Sequence, residues 1–144
     1  MEMAKDGKHV IHAGGVFTNP MLNREGAAAV DTKPGTIGYF EAGKFKASVD
    51  GKESAILYVA NIDYLRCQTV DDAITAGSVV ICIHPMAGVF LNVRATEGTY
   101  KKGQPVTAAN GQIAAAGDGV AAFAYVEEDS ITAKAGDLVR VVFK

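Results

Sequence analysis

Two histidines near the N-terminus are the residues whose types and spacing come nearest to a metal site. His9 and His12 lie three positions apart, so their imidazoles could bind one ion together. Zinc usually takes three or four protein ligands, and the remaining histidine, His84, lies far along the chain. The pair therefore predicts polar side chains on an N-terminal segment, without a bound metal.

The two cysteines are the next candidates for chemistry. Cys67 and Cys82 each lie in a run whose composition is typical of a β-strand. This favours free, buried thiols that pack as small apolar side chains. A disulfide would need neighbouring strands with suitable Cβ geometry, which the sequence leaves open. No neighbouring residue indicates a lowered thiol pKa, so a catalytic thiol is not predicted.

Other patterns approach catalytic or phosphate-binding motifs without completing one. Glu127, Glu128 and Asp129 could do acid–base chemistry if burial separated their pKa values, but consecutive acids after a strand predict a solvated turn. Residues 101–103 lack the glycine spacing of a phosphate loop, and 117–119 have no strand–turn–helix unit around them. No Ser-His-Asp set can be assembled from spacing. The sequence therefore predicts no enzyme activity and no cofactor.

The composition indicates one ordered domain and excludes several partners. The chain has 144 residues, 49% of them hydrophobic, so it can bury a core without a metal or disulfide. Its formal net charge of −2 gives no electrostatic footprint for nucleic acid, and it argues against a basic protein of the membrane surface. There is no apolar stretch long enough to span a bilayer, and Lys5 and Lys8 precede no apolar signal region. We therefore expect no nucleic-acid partner, no membrane partner and no secretory signal.

The elements that must position all of these residues are short β-strands. Apolar runs separated by glycine turns fill the second half, at residues 79–83, 89–94, 105–108, 113–116, 120–126 and 138–143. Runs this short with frequent turn residues predict an all-β fold, a compact sandwich or barrel of short antiparallel strands. Residues 70–76 could form one helical turn or a loop, and no longer helix is predicted.

Two dipeptides predict β-hairpins. Asp50-Gly51 follows an alternating run, 43–49, and Asn110-Gly111 lies between two apolar runs. Both pairs suit a two-residue turn, which needs positive φ at each central residue. The alternation in 43–49 predicts a half-buried strand with one face inward and the other outward, inward being Phe45, Ala47 and Val49 and outward being Lys44, Lys46 and Ser48. Residues 138–143 are apolar on both faces and predict a strand covered on both sides, either a central strand or one at a subunit interface.

Residues 1–26 have no sustained period of either 2 or 3.6. They predict an extended N-terminal arm, followed by a β domain over residues 27–144. Isolated apolar residues on such an arm would become ordered only against their own domain or a partner. The candidate capsid- or partner-binding residues are therefore Val10, Ile11, Val16, Phe17, Pro20, Met21 and Leu22.

The order of the turns resembles the head decoration, or cement, proteins of tailed bacteriophages. The likeness covers most of residues 27–144 and begins with the turn Lys33-Pro34-Gly35. It continues through the glycine-anchored runs at 77–80 and 87–93, the segment 97–106 with its Gly103-Gln104-Pro105-Val106 turn, the Asn110-Gly111 hairpin and the closing strand 135–141. Each motif is short, and their order carries the resemblance.

The resemblance implies a structural protein of the virion. Such proteins bind the outer surface of an expanded icosahedral capsid, often as trimers, and bridge neighbouring subunits against internal pressure. It implies that the partner is the major capsid protein, that the chain forms a homo-oligomer with a trimer favoured, and that it is made in the bacterial host cytoplasm.

Two other classes of function remain open at this stage. A biotinyl- or lipoyl-like carrier domain also uses glycine-rich hairpins, with Lys134 as the candidate for modification, although its flanking residues do not match. A small β-barrel enzyme or sugar-binding module is the second alternative. Sugar binding usually needs exposed aromatic platforms, and the chain has no Trp and only 8% aromatic residues.

Overall fold

The structure, a computed structural model, describes residues 7–15 and 23–144. Within these ranges the chain is all-β, as predicted, with thirteen strands, one short 3-10 helix at Tyr64–Arg66 and no α-helix. None of its described helices has the length and apolarity needed to cross a bilayer. The strands are β1 (His12–Gly15), β2 (Asn23–Ala28), β3 (Ile37–Glu41), β4 (Lys44–Ala47), β5 (Tyr58–Ala60), β6 (Val79–Ile83), β7 (Val89–Arg94), β8 (Gly98–Lys101), β9 (Pro105–Ala109), β10 (Gln112–Ala115), β11 (Ala124–Val126), β12 (Ser130–Ala133) and β13 (Leu138–Val142).

The strands form three groups. A six-stranded sheet has the order β1-β7-β13-β11-β9-β10, a closed barrel has the order β2-β4-β3-β5-β6, and β12 pairs with β8 in a two-stranded sheet. All pairs are antiparallel except β2 with β4. The larger core cluster joins the six-stranded sheet to Ile37, Val59 and Ile83 of the barrel. One face of the barrel wall therefore packs against the sheet.

The Asn110-Gly111 hairpin is confirmed. The dipeptide joins β9 to β10, and the register begins with Gln112 opposite Ala109. Asn110 and Gly111 have φ values of 49° and 81°, the positive values that the turn requires. The central position predicted for residues 138–143 is also confirmed, because β13 lies between β7 and β11.

The hairpin predicted at Asp50-Gly51 is wrong. Strands β4 and β5 do not pair with each other, because both pair with β3 from opposite sides. The two-residue turn lies instead at Ala42-Gly43, between β3 and β4, with φ values of 49° and 75°. The faces predicted for the end of the 43–49 run are also wrong. Strand β4 ends at Ala47, which is exposed although the alternation predicts that it faces inward, and after it Ser48 is buried and Val49 is 63% exposed.

Aromatic rings fill the barrel. The Phe40 ring lies 5.5 Å from the Phe45 ring and 5.3 Å from the Tyr58 ring, measured between centroids. Gly26 and Gly38 leave space for these rings. A Cβ on Gly26 would lie 2.8 Å from Phe40 Cε1, and one on Gly38 would lie 2.5 Å from Phe45 Cζ. Glycine is needed at both positions because the rings occupy the space of a side chain.

The predicted boundary between residues 26 and 27 falls inside strand β2. That strand pairs with β6 from Asn23 opposite Ile83 to Ala27 opposite Val79. Strand β1 pairs with β7 at the edge of the six-stranded sheet. Two parts of the N-terminal segment thus complete backbone ladders of the main fold. The division into an arm and a domain stays a prediction.

Candidate functional site

The N-terminal segment is the first candidate for a partner-binding site, and part of it is fixed to the fold. Asn92 on β7 is 5% exposed and reaches the segment with both backbone and side chain. Its amide Nδ2 donates to the Val10 carbonyl at 2.8 Å, and its backbone N–H donates to the Ile11 carbonyl at 2.7 Å. Lys8 Nζ lies 3.2 Å from Glu128 Oε1. These contacts hold residues 8–11 against the six-stranded sheet.

The structure separates the predicted partner-binding residues. Ile11 is fully buried in the larger core of its own domain, whereas Val10 beside it is 50% exposed. Among the described candidates, Val10 alone therefore offers a side chain to a partner. The other candidates lie outside the described residues: Val16, Phe17, Pro20, Met21 and Leu22.

The histidine pair gains no further ligands. Within the described ranges, no group of three or more His, Cys, Asp or Glu side chains is arranged to hold a metal ion. His12 lies on β1 opposite Leu91. Its Nε2 atom is buried and has no hydrogen-bond partner in the described part of the chain. Among residues 7–15 and 23–144, no metal site is assembled around His9 and His12.

The two cysteines lie in different environments. Both are free; Cys82 is buried in β6, as predicted, whereas Cys67 is exposed. The prediction that Cys67 lies in a buried strand is wrong. The 3-10 helix Tyr64–Arg66 ends there, and Cys67 adopts the left-handed conformation, φ 55°, as its C-cap. Burial raises the pKa of the Cys82 thiol well above its ordinary range.

A thiol-specific reagent should therefore react rapidly with one cysteine of the native protein. An exposed thiol is accessible to the reagent, while a buried thiol stays protonated and shielded. We expect one thiol to be modified in the native state and both after denaturation. A Cys67→Ser variant should show no rapid phase. Rapid modification of both thiols in the native protein would contradict the buried position of Cys82.

The acidic cluster is engaged in ion pairs around a strand junction. Glu127 Oε1 lies 3.1 Å from Lys102 Nζ, and Glu128 pairs with Lys8 as described above. Glu128 Oε2 also accepts from the Arg140 backbone N–H at 3.1 Å. These carboxylates connect Lys8, Lys102 and the β13 backbone at Arg140 to the turn after β11. The predicted solvated turn is only partly correct, because Glu127 and Glu128 are partly buried and paired.

The remaining sequence candidates lie in turns between strands. Gly103, with φ 82°, turns the chain from β8 into β9, and residues 117–119 connect β10 to β11. Lys134 follows β12, which pairs with β8, whereas β13 pairs with β7 and β11. Lys134 therefore does not lie at the tip of a β-hairpin, the position that a biotinylated or lipoylated lysine requires. The structure gives no support to the carrier alternative.

Sequence reasoning missed an exposed apolar pair in the capped 3-10 helix. Tyr64 and Leu65, in the 3-10 helix, are 47% and 67% exposed. Asp63 caps this helix, because its Oδ1 accepts from the Arg66 backbone N–H at 3.2 Å and its Oδ2 pairs with the Arg66 guanidinium. The signal available in the sequence was an aromatic residue next to an aliphatic residue, with Asp63 before them and Arg66 after them.

Comparison with known proteins identifies a shared fold. No family model and no curated protein matches the chain. Among solved structures, the chain is similar to the head fiber gp8.5 N base of bacteriophage phi29, with 16% sequence identity and a TM-score of 0.57. The match covers 86% of this chain and 94% of that chain. At this level of identity, the likeness shows that the two chains share an all-β fold.

Proposed function

We propose that this chain is a structural protein of a bacteriophage virion that binds the outer surface of the capsid. It stabilises the capsid by bridging neighbouring subunits of the major capsid protein, and it has no catalytic role. The observation that carries the proposal is the fold, which matches a phage head fiber base over 94% of that chain. The sequence resemblance to head decoration proteins points to the same class independently.

The physical basis of such stabilisation is linkage. A ligand that binds only the assembled capsid stabilises that state by mass action. A homo-oligomer, with a trimer favoured, would contact several capsid subunits at once and gain avidity through effective concentration. The oligomer can then bind tightly without a large contact area in each copy of the chain.

Val10 and the segment between β1 and β2 form the proposed contact. Strand β1 ends at Gly15 and β2 begins at Asn23, so the main fold holds both ends of the segment. Fixing the ends of a binding segment lowers the entropy lost when it binds. The proposed contact residues are Val10, Val16, Phe17, Pro20, Met21 and Leu22.

Binding to expanded capsids that lack this chain tests the proposal. We expect the purified protein to co-sediment with such capsids and to raise the temperature at which they dissociate. Sedimentation equilibrium of the free protein should give the mass of a trimer. Absence of co-sedimentation, together with an unchanged dissociation temperature, would refute the proposed function.

Replacement of Phe17, Met21 and Leu22 with serine should weaken capsid binding by about tenfold or more, because apolar anchors dominate interface energies. The β1 and β2 ladders are left intact, so the variant should keep the far-ultraviolet circular dichroism of the unmodified chain. Val49→Ser is the matched control, since it also removes an exposed apolar side chain but lies outside the segment. Equal loss in both variants, or in neither, would place the contact elsewhere. A Phe17→Ser single variant repeats the test with a smaller change.

A further inference from the structure

One end of the barrel carries a ring of inward-facing side chains that the proposed function does not use. Arg24 lies opposite Cys82 in the β2–β6 register, on the face that lines the barrel. Phe40 and Tyr58 line the same interior from β3 and β5. His84 follows directly after β6, and its ring lies 5.5 Å from the Tyr58 ring. We call these four residues the barrel mouth.

The Arg24 guanidinium lies over the aromatic wall of the barrel mouth. Its guanidinium carbon is 4.5 Å from the centroid of Phe40 and 5.8 Å from that of Tyr58. Stacking on a ring engages the face of a guanidinium and leaves its N–H donors, which point outward in the plane, available. Arg24 is itself exposed.

No carboxylate of the described residues forms an ion pair with Arg24. Strand alternation explains why. Glu25 and Glu41 are each one residue from a member of the barrel mouth, so they project to the opposite face of the barrel wall. Glu41 pairs there with Lys46. The mouth therefore presents the Arg24 guanidinium beside the rings of Tyr58 and His84, and none of the described carboxylates pairs with it.

A cleft borders the mouth at Phe40. It has a volume of about 380 Å³ and is lined by residues of β3 and of the loop before β5, namely Tyr39, Phe40, Glu41, Glu53, Ser54 and Ala55. The β3–β5 register ends with Gly38 opposite Tyr58, so β3 has no strand partner on this side beyond that point. Two carboxylates line the cleft, and both are engaged, Glu41 by Lys46 and Glu53 by Ser48 Oγ and the Val49 backbone N–H. The cleft therefore offers room for the backbone of a bound segment beside the cationic mouth.

We propose that the barrel mouth binds the side-chain carboxylate of an Asp or Glu residue from a partner protein. The planar guanidinium matches a carboxylate in a two-pronged hydrogen bond, and its contact with the Phe40 ring positions it. A single guanidinium balances one negative charge. The adjacent cleft accommodates the chain that carries the carboxylate. This site does not depend on the proposed capsid function.

Titration with a blocked glutamate tests the site by nuclear magnetic resonance. The probe is N-acetylglutamate N-methylamide, which has one side-chain carboxylate, and the neutral control is N-acetylglutamine N-methylamide. With the full chain at constant ionic strength, we expect saturating shifts of the Arg24 Nε–H and His84 ring signals with the glutamate probe alone. Inorganic phosphate, titrated separately, should bind more weakly than the glutamate probe.

The Arg24→Gln variant should bind the glutamate probe about tenfold more weakly, because it loses the charge-assisted pair. Lys134→Gln removes the same charge from an exposed turn and should bind as the unmodified chain does. Both substitutions are at exposed positions, so the remaining backbone spectrum reports that each variant is folded. Equal shifts with the glutamine control, equal affinity in Arg24→Gln, or tighter binding of phosphate would each overturn the proposal.

Discussion

Replacement of Arg94 with methionine should lower the free energy of unfolding by about 3 kcal/mol or more. Arg94 ends strand β7 and is 6% exposed. Its Nε donates to the Pro34 carbonyl at 2.7 Å, its Nη1 donates to the Gly136 carbonyl at 3.0 Å, and its Nη2 donates to the Val70 carbonyl. One side chain therefore satisfies three backbone acceptors.

The three acceptors belong to segments that are far apart in the sequence. Pro34 lies in the turn before β3, Val70 in the loop before β6, and Gly136 in the turn before β13. Methionine has a similar length but no donor, so each buried carbonyl would lose its partner at about 1–3 kcal/mol. The barrel and the six-stranded sheet would also lose a direct connection.

Urea denaturation followed by circular dichroism measures this loss, and thermal unfolding should show a fall of roughly 10 °C. Arg140→Met is the matched control on the neighbouring strand, where Arg140 is exposed and donates to the Glu127 carbonyl. It should cost about 1 kcal/mol or less. Arg94→Lys keeps the charge but not the planar fork, and should recover only a minor part of the stability. Similar stability of the Arg94→Met and Arg140→Met variants would contradict the role of Arg94.

Replacement of Gly38 with alanine should destabilise the protein by about 3 kcal/mol or more through steric overlap in the barrel. A Cβ at this position would lie 2.1 Å from the Lys46 carbonyl oxygen and 2.5 Å from Phe45 Cζ. Neither neighbour can move easily. The Lys46 carbonyl belongs to β4, whose ladder with β3 includes Gly38 opposite Ala47, and Phe45 is fully buried.

Gly117→Ala is the control for this substitution. A Cβ at Gly117 would meet Val120 Cγ2 at 3.9 Å, an ordinary contact, so stability should change by about 0.5 kcal/mol or less. Chemical denaturation of both variants measures the difference. If Gly38→Ala unfolded at the same denaturant concentration as Gly117→Ala, the close packing of β3 against β4 and Phe45 would be incorrect.

The same type of dipeptide gave one correct and one wrong hairpin, and the difference is informative. Asn110-Gly111 joins strands that pair with each other, so the local turn chemistry and the global pairing agree. Asp50-Gly51 also has the turn chemistry, but β3 lies between β4 and β5. A residue pattern reports the conformation of the chain at the turn. It does not report which strand occupies the neighbouring position in a sheet.

The candidate site could be predicted only in part. Isolated apolar residues near the N-terminus identified a segment that needs contacts, but the burial of Ile11 and the exposure of Val10 depend on Asn92, which is 82 positions from Val10. The barrel mouth could not be predicted. Arg24, Phe40, Tyr58 and His84 come from four different segments, and the closure of the barrel alone brings them together.

The sequence by itself determined the class of the fold and several of its turns. Short apolar runs and glycine turns specify an all-β chain, because strand alternation and turn conformation are set within a few residues. Only the tertiary structure decided the strand order, the burial of Ser48 and the exposure of Cys67. It also decided the burial of Arg94, which donates to the carbonyl of Pro34, a residue that lies 60 positions away in the sequence. These features depend on contacts between residues that are distant in the chain. The free energies of such contacts cannot be read from a local sequence pattern.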